Sequence, residues 1–183
     1  MEDLTNLLNK RIENFNLLKS QEKNIALAVD MISSALINGN KILLCGNGGS
    51  ASDSNHLAAE FISKFKKERS SQPAISLSAN NSIITAIAND YSFENVFSRQ
   101  IEGLANEGDI LIGISTSGKS KNVLKAFEKA KEQGVKTIFL TGQNKSSADV
   151  DLEINAPSEI TAEIQEMHIA IGHIIVESVE KEL

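Results

Sequence analysis

Five short apolar runs alternate with helical stretches along this chain, and that alternation leaves few folds open. The runs are Lys41–Cys45, Ala74–Leu77, Ile110–Ile114, Val135–Leu140 and, more weakly, Val150–Ile154. Between and after them, helical patterns cover Ala51–Lys66, Ser82–Ala88, Glu94–Glu107, Ser120–Gln133 and the long final stretch Ile160–Glu182. A run that is apolar throughout reads as a strand covered on both faces, and strands separated by helices pair in parallel. The sequence therefore predicts an α/β fold built on a doubly wound, five-stranded parallel sheet.

Ahead of the first run, residues 1–38 contain neither Gly nor Pro. Leu4, Leu7, Leu8, Ile12 and Phe15 recur at helical spacing, and a second pattern runs from Lys23 to Ile37. This stretch is expected to be a helical extension of the same domain, covering it or pairing with another subunit, with residues 39–183 as the main body. A chain of 183 residues fits one domain with a sizeable core.

The formal charge is −6, with Lys and Arg spread along the chain, which argues against a nucleic-acid surface. Any anion bound here must rely on local donors rather than on the overall field. The single cysteine, Cys45, excludes a disulfide within one chain and points to a reducing compartment. The start, Met1-Glu2-Asp3-Leu4, lacks the basic segment of a signal peptide, and no run approaches ~18 apolar residues. The expectation is a soluble, cytoplasmic protein with no membrane partner.

In parallel sheets, ligands bind beyond the carboxyl ends of the strands, and two loops fall there. Cys45-Gly46-Asn47-Gly48-Gly49-Ser50-Ala51-Ser52 follows the first run and opens a helix. Glycines let backbone approach a ligand closely, and a helix start offers free N–H groups to an anion. The alternative is a tight turn with Ser50 or Ser52 as N-cap. The loop is no dinucleotide fingerprint, because the third glycine is missing at the required spacing. The second loop, Ile114-Ser115-Thr116-Ser117-Gly118-Lys119-Ser120, gathers four hydroxyls at a helix start. A plain N-cap needs one hydroxyl; four make a phosphate cradle of neutral donors and helix dipole.

Two further groups carry titratable side chains. His56 and Glu60, four residues apart, share a helical face and suit a metal, an acid/base pair or a simple helical pair. Gln165, His168 and His173 lie in the last helix. His173, set among Ile171, Gly172, Ile174 and Ile175, reads most simply as a buried core histidine.

Together these segments, with Asn38-Gly39-Asn40-Lys41, Ala88-Asn89-Asp90 and Ile164-Gln165-Glu166-Met167-His168, resemble the phosphoheptose isomerases of the sugar isomerase (SIS) domain superfamily. The resemblance runs in order over essentially the whole chain. It implies a homotetramer with active sites between subunits, converting sedoheptulose 7-phosphate to D-glycero-D-manno-heptose 7-phosphate on the way to the ADP-heptose of lipopolysaccharide core. It further implies that Asn47, Gly48, Gly49, Asn89 and Asp90 touch substrate and that Ser115, Thr116, Ser117 and Ser120 hold its phosphate. His56, Glu60, Gln165 and His173 would surround one zinc ion per subunit, with Glu60 and Gln165 also reaching substrate. Lys64 and Glu163 depart from the family, where Arg is common at both positions.

Aldose–ketose interconversion needs a base to move a proton between C1 and C2 and an acid to serve the neighbouring oxygens. Glu60 is the expected base and His173 the expected acid, through an enediol. Gln165 and His173 stand eight residues apart, a rise of ~12 Å, so both lean in from two turns away or they serve different subunits. The alternative function is non-catalytic: a similar SIS-domain adaptor binds the DnaA replication initiator. That relative lacks the acid and base at the positions of Glu60 and His173.

Overall fold

The computed structural model describes residues 3–144 and 146–183; Met1 and Glu2 of the acidic start lie outside the described residues. Two helices come first, α1 (Leu4–Leu18) and α2 (Glu22–Ile37), joined by one tight turn at Lys19–Gln21. Asp3 caps α1, its carboxylate accepting from the Thr5 N–H. Then follow β1 (Ile42–Gly46), α3 (Gly49–Ile62), β2 (Ala74–Ser76), α4 (Asn81–Asp90), α5 (Ser98–Leu104), β3 (Ile110–Ile114), α6 (Lys121–Glu132), β4 (Lys136–Thr141), β5 (Leu152–Asn155) and α7 (Thr161–Glu182).

The five strands form one parallel sheet in the order β2-β1-β3-β4-β5. Alternate strand residues face opposite layers. Ile42, Leu44, Ile110, Ile112, Ile138 and Leu140 pack under α2, α3 and α7. Leu43, Cys45, Leu111 and Phe139 pack against the layer of α5 and α6, where Phe127 meets Phe139 edge-on. The central strands β1, β3 and β4 are covered on both faces, as their unbroken apolar runs required, whereas the edge strands β2 and β5 are covered mainly on one, with Ile75 of β2 exposed. Asp109 fixes the starts of β1 and β3 against each other: it accepts from the backbone N–H groups of Lys41 and Asn106 and from Lys41 Nζ at 2.6 Å. Chain order reverses between β1 and β3, and a crevice opens beyond their carboxyl ends.

The structure departs from the sequence expectation where tertiary contacts override local pattern. No single helix spans Glu94–Glu107. A tight turn at Phe93–Asn95 precedes α5, burying the consecutive Val96 and Phe97, and Gly108 at φ +89° shapes the turn beyond. Helix α3 stops at Ile62 rather than Lys66, because Glu180 captures the backbone N–H groups of Phe65, Lys66 and Lys67. The core histidine of α7 is His168, fully buried with Nε2 donating to the Thr141 carbonyl at 2.9 Å; His173 is only partly buried. Among the described residues no helix is long and apolar enough to cross a membrane.

Candidate active site

The crevice between β1 and β3 holds a cavity of about 290 Å³ lined by Asn47, Gly48, Gly49, Ser50, Ser115, Thr116, Ser120, Thr161 and Gln165, with Ile114 at its floor. Three helix starts meet there, those of α3, α6 and α7. Each presents unpaired N–H groups and the positive end of its dipole, so the cavity favours an anion although the chain is acidic.

Neither loop is the simple serine-capped turn considered as the alternative. The N-cap of α3 is Gly48, at φ +55° and ψ −121°, a conformation that only glycine adopts readily. A Cβ on Gly49 would collide with the Gln165 amide, so the bare backbone is what lets that side chain reach the loop. Ser120 occupies the N-cap position of α6 but makes no cap bond; its hydroxyl pairs with that of Ser115 at 2.9 Å. Ser117 accepts from the Lys119 N–H at 3.2 Å and opens onto a neighbouring cavity of about 200 Å³ that shares Thr116. The side-chain amides of Asn47 and Asn122 exchange two hydrogen bonds, at 2.9 and 2.8 Å, and so tie the first loop to α6.

A second group forms further along the seam of α3 and α7. Gly49 meets Gln165, Leu57 packs on Gly172, and His56 faces His173, so the two helices run parallel. The Nε2 atoms of His56 and His173 lie 2.8 Å apart, one donating to the other, and Glu60 Oε1 stands 3.5 Å from His56 Nε2. The Phe65 ring flanks His173 at 5.3 Å between centroids. The cavity and this titratable group are thus two helical turns apart, about 10–12 Å along the axes.

The SIS domain family model matches residues 8–142. A phosphoheptose isomerase of Clostridium acetobutylicum is 55% identical over 159 residues, 85% of this chain and 80% of that relative. The chain belongs to the phosphoheptose isomerase family of SIS-domain proteins. Its fold superposes on phosphoheptose isomerases from Francisella tularensis (TM-score 0.93, 34% identity, 97% of this chain and 96% of that one) and Neisseria gonorrhoeae (TM-score 0.91, 35% identity, 97% of both).

Within this SIS domain, Asn47, Gly48, Gly49, Ser115, Thr116, Ser120 and Gln165 converge on one cavity, and Ser117 lines the neighbouring one, its hydroxyl 3.4 Å from that of Ser115. Glu60, His56 and His173 gather at the other level. Asn89 and Asp90, at the end of α4, are exposed, hydrogen-bond each other at 2.9 Å and are not among the residues that line the first cavity. Sequence reasoning missed Thr161, Asn122, Phe65 and Asp53. Asp53 precedes His56 by one turn on the same face; its Oδ2 is buried without a partner among the described residues, and burial raises its pKa against the opposing His56 charge. Among these, only Thr161 carried a local signal, as the first residue of a helix facing the crevice.

Two imidazoles and a carboxylate are donor types that zinc accepts. Among the described residues, however, no three His, Cys, Asp or Glu side chains converge as a metal cage within one chain. Two nitrogens on a tetrahedral zinc lie roughly 3.4 Å apart, so the 2.8 Å His56–His173 contact must open to admit an ion. Gln165 is engaged at the other level, two turns away, rather than beside them.

Proposed function

We propose that this protein is the isomerase that converts sedoheptulose 7-phosphate to D-glycero-D-manno-heptose 7-phosphate, in carbohydrate metabolism leading to ADP-heptose and lipopolysaccharide core. One observation carries the reading: a neutral phosphate cradle occurs together with Glu60 and His173, each in contact with His56, on the fold of a family whose relatives are phosphoheptose isomerases. The Ser115–Ser120 hydroxyls and three helix starts take the phosphate. Glu60 removes the C1 proton of the ketose, the enediol forms, and Glu60 returns the proton to C2. His173 donates to and accepts from the oxygens at C1 and C2, and His56 holds its ring in place.

Zinc, when bound, would be held by His56, Glu60 and His173 and would polarise the two reacting oxygens. Gln165 would join it only across a subunit boundary. A homotetramer is supported by the stripe Leu4, Leu8, Ile12 and Phe15 on α1, 75, 66, 61 and 41% exposed at successive helical positions, an apolar face suited to other copies of the chain. His56, also exposed in a single chain, fits a site completed by a second subunit. A cytoplasmic location is part of this reading, supported by the lone buried thiol and the sugar-phosphate substrate.

The test is a coupled assay with sedoheptulose 7-phosphate, run with and without chelator, beside elemental analysis of protein purified without chelator. Turnover with solvent deuterium entering at C1 or C2 is the expected result. No turnover, combined with binding to the replication initiator, would make the protein an adaptor instead.

A further inference from the structure

The turn after α3 is held by a device that neither the cradle nor the acid/base pair uses. A helix leaves its last carbonyls without partners. Here the Arg69 guanidinium supplies them, Nη2 donating to the Glu60 carbonyl at 2.8 Å and Nη1 to the Phe61 carbonyl at 2.9 Å. Its Nε donates to Oε1 of Glu180, near the end of α7, at 3.2 Å. Glu180 is filled by four donors: Arg69 and the Phe65 N–H on Oε1, and the Lys66 and Lys67 N–H groups on Oε2, all within 2.9–3.2 Å.

Both side chains are buried, 9% and 2% exposed. A buried ion pair recovers its desolvation cost only when every lone pair and proton is satisfied, and losing one partner strands the other. Three of the four bonds to Glu180 come from the main chain, so this carboxylate shapes a loop as well as pairing a charge. That loop carries Phe65, the ring beside His173. The other arm of the clamp grips the backbone of Glu60 itself. One buried pair therefore touches the main chain of the base and the packing neighbour of the acid, while neither Arg69 nor Glu180 lines the phosphate cavity.

We infer that Arg69 and Glu180 are positioning residues for the proton transfer, setting Glu60 against His173 through the last turn of α3 and through Phe65. The inference rests on the assignment of Glu60 as base and His173 as acid. Displacing a reacting group by about 1 Å costs on the order of 10²-fold in rate, so a contact that fixes the main chain of Glu60 bears directly on the rate.

The experiment measures kcat and KM for sedoheptulose 7-phosphate in Arg69→Gln and Glu180→Gln, each first shown to be folded at the assay temperature and unchanged in oligomeric state. The expected result is kcat lower by about 10–100-fold with KM within about twofold, because the phosphate anchor is untouched. Arg69→Gln is then combined with Glu60→Gln. Positioning a base that is absent has no effect, so the second substitution should lower the residual kcat by less than about twofold. An unchanged kcat in folded Glu180→Gln, or an equal loss in both backgrounds, overturns the inference while the acid/base assignment stands. Full kcat in Glu60→Gln alone overturns the assignment, and the inference with it. Where the Gln variants fail to fold, Arg69→Lys carries the same test, since it keeps the charge but loses the planar fork that reaches several acceptors at once.

Discussion

The two ends of the candidate site are built in opposite ways. The proposed phosphate end comes mostly from two contiguous loops, residues 47–50 and 115–120, whose backbone and hydroxyls line the cavity. The titratable end comes from side chains on two helices, with His56 and His173 separated by 117 residues and brought to 2.8 Å. The first is fixed by turn geometry and survives as long as the sheet does. The second depends on how α3 lies along α7, a packing set by Leu57 on Gly172 and by the Glu180 contacts. On the proposed assignment, phosphate binding is a local property of this chain and proton transfer a tertiary one.

Substitutions should divide along that line, and any that crosses it breaks the comparison. The largest expected effect is Glu60→Gln, which keeps shape but cannot accept a C–H proton: kcat should fall by a factor of order 10²–10⁴ with KM little changed. His173→Gln should act likewise, and the double variant should cost far less than the product of the two, as measured in steady-state assays. At the other end, Ser117→Ala or Ser120→Ala each removes a hydrogen bond to a charged group, worth about 1.5–3 kcal/mol. KM should rise roughly 10- to 100-fold with kcat nearly unchanged. A Ser120→Ala variant with normal KM and low kcat would show that the two ends are not separate.

Acid titration sharpens the comparison at the level of the fold. Burial pushes His168 down from 6.5 to about 4, against the opposing Thr141 hydrogen bond. The unfolded chain then takes up a proton that the native state refuses, so stability is lost as pH falls from 6.5 towards 4, by about 2–3 kcal/mol. Glu163, bonded by Ser158 and, against its burial, by Lys10 and Asn14, is held down at about 2 from 4.5. Its contribution is complete above 4.5 and disappears as pH falls towards 2. Denaturant melts across pH should show both slopes, and Glu163→Gln should flatten only the lower one. The smallest effect expected is Lys64→Arg: Lys64 is exposed and pairs with Glu68 at 2.6 Å, so the melting temperature should barely move.

What the sequence made legible follows the same division. The parallel sheet and its two-sided burial could be read from unbroken apolar runs such as Ile110–Ile114, and both loops from their glycines and hydroxyls. The end of α3 could not, because the residues that stop it are Glu180 and Arg69, and helical pattern continues through Lys66. Local pattern places the core histidine at His173 rather than at His168 for a related reason: both sit in apolar surroundings in the sequence, and only packing against Thr141 or His56 tells them apart. Glu163, one of the two departures from the family, is explained by charges on α1: Lys10 at 3.0 Å and Arg11 at 3.6 Å neutralise it and dock the first helix onto the last.

The lone thiol at the end of β1 has a use of its own. Cys45 is completely buried in the sheet, and burial raises its pKa well above the ordinary thiol range. Thiolate is the reactive form, so an alkylating reagent meets an inert group until β1 is exposed by opening of the core. Each chain thereby carries a single internal clock: labelling counts core openings, free of the fraying at helix ends. A ligand that fills the cradle and steadies the neighbouring strands should slow that clock in proportion to its occupancy, giving a binding measurement that requires no turnover.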